Sequence, residues 1–154
     1  MRDDCVWTAE RRAAMLREKG LRPLSRTRPP TSPSRGIYPQ APDGFIAKRR
    51  IRVPADGLCF YHAVARSIGT LSYKVIMALV AAELEHKDQH EALQRVRNRE
   101  WAETEEVSAA AHALKTKIHV FETANDMWIT FGNENYEESI HLINYDMVHF
   151  EILR

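Results

Sequence analysis

The sequence predicts an α+β domain: a small, mostly antiparallel sheet flanked by helices. Three observations carry this. Apolar residues recur at helical spacing through residues 59–114, and residues 118–153 hold four short β-branched or aromatic runs separated by turn residues. Helices followed by closely spaced strands segregate onto one side of a sheet, unlike the strict βαβ alternation of a parallel fold. The length of 154 residues suits one domain with chain enough to bury a core.

Taken in order, residues 1–21 read as a helix running from Trp7 to Lys19, with Thr8 at its start and Gly20 as its C-terminal cap. Its apolar face is thin (Trp7, Ala14, Met15, Leu16), so it needs a partner surface to persist. Between Arg22 and Pro42 lie six of the seven prolines, together with Arg22, Arg26, Arg28 and Arg35 and no acidic residue. Such a composition buries too little apolar surface to offset its ordering entropy, so residues 22–44 are expected to be an extended, disordered linker. The folded domain is expected over residues 45–154.

Within it, Arg50-Ile51-Arg52-Val53 alternates polar with apolar as a half-buried strand does, and Pro54 ends it. A helix from Cys59 to Ser67 stops at Gly69-Thr70. Residues Tyr73 to Glu85 carry Val75, Ile76, Leu79, Val80, Ala82 and Leu84 at the spacing of a buried helix face. The charged stretch from His86 to Arg99 is either an exposed helix or a mobile excursion. Thr104 to Leu114 is amphipathic, with Val107, Ala110, Ala111 and Leu114 inward. The four strands are Ile118–Phe121, Trp128–Phe131, Ser139–Tyr145 and His149–Leu153, punctuated by Asn125-Asp126, Gly132-Asn133 and Asp146.

Composition excludes several classes of function. Hydrophobic content of 44%, charged content of 28% and a net charge of +1 supply no field for nucleic acid or an anionic membrane. No apolar run approaches the roughly 20 residues of a membrane span, and the charged start lacks the apolar core of a signal peptide. Two cysteines in segments of different character, Cys5 and Cys59, make no disulfide framework and suit a reducing compartment. A soluble intracellular protein of the cytoplasm is the expectation.

The chemistry concentrates at Asp56-Gly57-Leu58-Cys59-Phe60-Tyr61-His62-Ala63-Val64. A strand, a glycine turn and a helix start deliver Cys59 to a helix N-terminus. There the unpaired N–H groups and the dipole favour a thiolate, and the same N–H groups can hold an oxyanion. Packing as a small buried hydrophobe is the plainer alternative. A nucleophilic cysteine also needs an imidazole with a third group to orient it. Of the seven histidines, His86 and His90 lie in the charged stretch and His112 beside an apolar helix face. His119 and His141 sit mid-strand among apolar neighbours, and His62 points past the thiol on the same helix. His149 follows the turn Asp146-Met147-Val148 and opens the last strand, where Glu151, two residues on, shares its face. Cys59-x-x-His62 has the spacing of half a zinc site, but no second pair completes it, so no metal and no cofactor are expected.

These residues resemble the ovarian tumour (OTU) family of cysteine proteases, and in particular its compact viral members. Val53-Pro54-Ala55-Asp56-Gly57-Leu58-Cys59-Phe60-Tyr61 stands where the family has a strand leading into Asp-Gly-Asn-Cys-Phe/Leu-Phe/Tyr. Trp101-Ala102-Glu103-Thr104-Glu105-Glu106-Val107 with Ile118-His119-Val120-Phe121 is similar to its central helix and strand. Ile140-His141-Leu142-Ile143 through His149-Phe150-Glu151 is similar to its closing strand, turn and His-aromatic-Asp/Asn motif. The resemblance spans roughly residues 49–153 and implies a papain-like OTU fold. It also implies a thiol hydrolase that cuts the isopeptide bond after the C-terminus of ubiquitin or a ubiquitin-like protein. Cys59 is then the nucleophile, His149 the general base, Glu151 its orienting residue and Asp56 a shaper of the oxyanion loop. Trp101 is the expected wall of the channel for the ubiquitin tail. Two departures stand out: Leu58 replaces asparagine, its backbone N–H being expected still to serve the oxyanion, and Glu151 is one methylene longer than aspartate. A polyprotein-processing protease, or an OTU-like binding module with lapsed catalysis, are the alternatives.

Overall fold

The computed structural model describes residues 22–29, 38–146 and 148–154. The helix expected over residues 1–21, Cys5 and Met147 of the Asp146-Met147-Val148 turn therefore lie outside the described residues. Four helices are described: α1 (Cys59–Ile68), α2 (Tyr73–His86), α3 (His90–Arg97) and α4 (Thr104–Leu114). Six strands form one sheet: β1 (Ser25–Thr27), β2 (Arg50–Ile51), β3 (Thr116–Glu122), β4 (Met127–Phe131), β5 (Glu138–Tyr145) and β6 (His149–Leu153). Their spatial order is β1-β4-β3-β5-β6-β2, with every neighbouring pair antiparallel except β3 and β5. The mostly antiparallel α+β expectation holds, with one parallel pair at its centre.

Each helix has a local cause. Gly69 ends α1 in a left-handed conformation (φ 82°), and its N–H reaches the Ala65 carbonyl. The Ser72 hydroxyl caps α2 by accepting from the Val75 N–H at 3.3 Å. Ile76, Val80 and Leu84, each four residues apart, form the α2 stripe that is buried. A capping box between Glu103 and Glu106 opens α4.

The charged stretch forms α3, with Leu93 and Val96 buried against the core. Its Arg95 guanidinium reaches Glu106 at 2.7 and 2.9 Å, Glu103 at 3.0 Å and Glu105 at 3.4 Å. Glu106 is fully buried. Removing one partner of so buried a pair strands a charge, at a cost of about 3–5 kcal/mol. The arginine therefore clamps α3 onto α4.

The sheet is covered on both faces, which is why apolar residues fall on both sides of its central strands. One face, with Ile118, Val120, Ile129, Leu142, Phe150 and Ile152, packs against the helices. The other carries Phe121, Trp128, Ile143 and Leu153, and lies under a strap of chain holding Tyr38, Ala41, Phe45 and Ala47.

The described parts of residues 22–44, 22–29 and 38–44, correct the expectation of a disordered linker there. Ser25–Thr27 pair with Trp128–Thr130 as an edge strand, Leu24 N–H donates to the Thr130 carbonyl at 2.7 Å, and Ala41 is buried. Composition registers a segment's own apolar content. It is blind to the open edge of β4 and the bare sheet face that the rest of the chain offers to that segment.

Candidate active site

The turn that feeds α1 is built by two residues. Asp56 Oδ1 accepts the Leu58 N–H at 3.0 Å, closing a side-chain turn. Gly57 adopts φ +83°, and a Cβ there would stand 3.3 Å from the Arg99 carbonyl oxygen. Positive φ and close backbone approach both call for glycine. Leu58 is the N-cap and its side chain is buried in the core, so Cys59 is the first residue of α1. The N–H groups of that first turn have no carbonyl to bond within the helix.

The Leu58 N–H is engaged by Asp56, which corrects the expectation that it serves an oxyanion.

The Cys59 sulfur lies against β6 and the turn before it. Its thiol donates to the Val148 carbonyl at 3.6 Å, and it accepts the Phe150 N–H at 3.4 Å. The residue between those two groups is His149. The Phe60 and Phe150 rings meet edge to face at 5.1 Å and fix α1 against β6. Cys59 is only 1% exposed, and burial pushes its thiol above the ordinary value. The N–H groups of Phe150, Phe60 and Cys59 pull the other way, while the Asp56 carboxylate adds to the rise.

His149 and Glu151 share one face of β6, as alternate residues of a strand do. His149 Nε2 stands 3.2 Å from Glu151 Oε2. Glu151 is buried and held twice more: Oε2 accepts the Val53 N–H at 3.2 Å, and Oε1 pairs with Arg50 Nε at 3.1 Å. Arg50 is itself tied to the Tyr145 hydroxyl at 2.7 Å, and the Tyr145 ring stacks beside His149. Glutamate reaches its histidine despite the extra methylene, and the same carboxylate is fixed by Arg50 and the Val53 N–H. The other ring nitrogen, His149 Nδ1, is buried and makes no hydrogen bond among the described residues.

The structure thus brings the Cys59 sulfur against the backbone that flanks His149, and His149 against Glu151. Asp56 stands apart from them: its second oxygen lies 3.7 Å from His62 Nε2, and His62 packs on the Tyr73 ring. His112 bonds the Tyr136 hydroxyl, and His86 and His90 are exposed.

A second histidine group escaped sequence reasoning. His119 and His141 face each other in the parallel β3/β5 register, beneath Asp43 of the strap. Their identical placement between apolar neighbours was visible. The register that pairs two strands separated in sequence by a third was not.

No family model and no curated protein matches the sequence. Solved structures do match. The viral OTU domain protease from Taggert virus is 23% identical with a TM-score of 0.55, over 69% of this chain and 78% of that one. The Hazara virus OTU, solved bound to ubiquitin, is 21% identical with a TM-score of 0.54, over 69% of this chain and 80% of that one. An ovarian tumour domain solved in complex with ubiquitin is 18% identical with a TM-score of 0.57, over 68% and 67%. The mixed helix-and-sheet architecture is the one these domains share: this chain has the OTU fold.

Proposed function

We propose that the chain is an OTU-type cysteine protease that hydrolyses the isopeptide bond after the C-terminus of ubiquitin or a ubiquitin-like protein. One observation carries the reading. The Cys59 sulfur lies against the backbone on both sides of His149, whose Nδ1 makes no hydrogen bond among the described residues and whose Nε2 is held by a buried carboxylate. That is the nucleophile, base and orienting group of acyl transfer.

In the reaction, the thiol leaves the Val148 carbonyl and passes its proton to His149 Nδ1, and the thiolate attacks the substrate carbonyl. N–H groups of the first turn of α1 receive the oxyanion. Collapse of the tetrahedral adduct expels the lysine amine, which takes the proton back from His149. Water, deprotonated by the same imidazole, then releases the acyl group from sulfur. Glu151 holds the ring in the tautomer that leaves Nδ1 free to accept and stabilises it once protonated. No step calls for a metal or cofactor. Trp101, 37% exposed on the loop that abuts Gly57, is the proposed wall of the substrate-tail channel.

A second reading has its own observation. A thiol that is 1% exposed and titrates high suits an OTU-like module that binds ubiquitin without cutting it. A ubiquitin probe bearing an electrophile in place of its C-terminal carboxylate separates the two. Covalent labelling of the native chain, lost in Cys59→Ala with the melting temperature preserved, is the expected outcome. Binding of ubiquitin without labelling of the folded native chain selects the module. Labelling that survives Cys59→Ala removes the assignment.

A further inference from the structure

On the sheet face away from the helices, Asp43, His119 and His141 form a site of a different kind. We propose that these three side chains bind a divalent first-row cation, zinc foremost, that fastens the residue 38–48 strap to the sheet.

The geometry comes from the register. His119 and His141 are direct partners across β3 and β5, and their rings lie stacked with centroids 5.0 Å apart. Both Nε2 atoms face the same carboxylate oxygen: Asp43 Oδ2 is 2.8 Å from His141 and 3.5 Å from His119. The three donor atoms all lie within 4.8 Å of one another. A tetrahedral zinc with bonds of about 2.0–2.1 Å draws its donors to about 3.3 Å apart. The two carboxylate–imidazole distances already bracket that value, and a tilt of the two rings toward each other supplies the rest.

The hydrogen bonding is incomplete without a cation. His119 is 3% exposed, and its Nε2 is buried and makes no hydrogen bond among the described residues. A polar atom left so is a standing cost to the fold. Its other nitrogen, Nδ1, lies 2.8 Å from the Thr130 hydroxyl. Donation from Nδ1 to that oxygen fixes the tautomer in which Nε2 carries the lone pair, the usual outer-shell arrangement of a ligating histidine. Phe45 stacks on His141 at 3.8 Å and Trp128 stands edge-on to it, so the donors sit under an apolar roof. Two imidazoles and one carboxylate form a set that zinc favours, and water fills the fourth position on the side where Asp43 reaches solvent.

The site is separate from the proposed catalytic group. His141 and Tyr145, which flanks His149, are four residues apart on β5, about 13 Å along a strand. The cation holds the strap. It takes no part in proton transfer at His149.

The test uses the whole chain, stripped with a chelator and titrated with Zn²⁺, with melting temperature and metal content as readouts. The expected result is one Zn²⁺ per chain and a melting temperature that rises with zinc. Co²⁺ substitution should give the visible absorption of a tetrahedral nitrogen–oxygen site. Asp43→Asn alters only a half-exposed loop side chain, so it keeps the fold. It should weaken Zn²⁺ binding at least tenfold, as should His119→Ala. Cys59→Ala should bind Zn²⁺ unchanged. The inference is overturned if the native chain binds no stoichiometric zinc, if Asp43→Asn binds it as well as the native chain does, or if Cys59→Ala abolishes binding.

Discussion

Two groups of histidine and carboxylate occupy the same face of one sheet, and they are built for opposite ends. His149 and Glu151 lie on β6 where the strand begins, and the Cys59 sulfur rests on the backbone of the two residues that flank His149. His119 and His141 lie mid-strand, with their Nε2 atoms converging on one carboxylate oxygen of Asp43 in the strap, and Phe45 stacks on His141. The residue types are almost the same. Position in the strand decides the chemistry: at a strand end the imidazole meets another element's functional group, whereas at mid-strand it meets only its register partner and whatever covers the sheet.

The comparison breaks most sharply through reciprocal variants. His149→Ala should slow labelling by the ubiquitin electrophile at least about 10³-fold, the scale of a lost general base, with little change in melting temperature. His119→Ala should lower the melting temperature and leave labelling of the folded protein within a few-fold of native. Equal loss of labelling in both would mean that the two groups form one functional unit, against the separation drawn here.

Glu151→Gln should act more mildly. An amide still occupies the space between Arg50, Val53 and His149, but it no longer stabilises the imidazolium. The rate of probe labelling should fall about 10- to 100-fold, while ubiquitin affinity stays unchanged. Unchanged labelling would show that Glu151 serves the fold alone, through its bonds to Arg50 and the Val53 N–H.

The gentlest test concerns pH. Burial favours the neutral thiol, so at pH 7 the thiolate fraction of Cys59 lies below that of an unhindered cysteine and grows as pH rises. Alkylation of Cys59 by iodoacetamide, followed on its own peptide by mass spectrometry, should climb about tenfold per pH unit through neutrality. A rate that is already fast and flat from pH 6 upward would mean that the resting site holds a thiolate–imidazolium pair.

The histidine–glutamate pair and the cysteine at its helix start were legible in the sequence because each rests on local periodicity. Residues two apart share a strand face, and a glycine after a proline-stopped strand announces the turn. The rest depended on partners far away in the chain. The Arg95 clamp hid in a stretch whose charges read as solvated, since nothing nearby in sequence reveals that Glu106 is fully buried. The Leu58 N–H looked available until Asp56 was seen to hold it. The His119–His141 pairing required knowing that β5 skips past β4 to lie parallel to β3.

The strap over the second face has a practical bearing on where the domain can be trimmed. A chain shortened to begin at residue 45, where composition alone draws the boundary, would lose the pairing of Ser25–Thr27 with β4 and the cover that Tyr38 and Ala41 give to Phe121, Trp128 and Ile143. Such a fragment would keep every group proposed for hydrolysis. It would also present a sticky aromatic patch and an open strand edge, and so clump in solution for reasons unrelated to its chemistry.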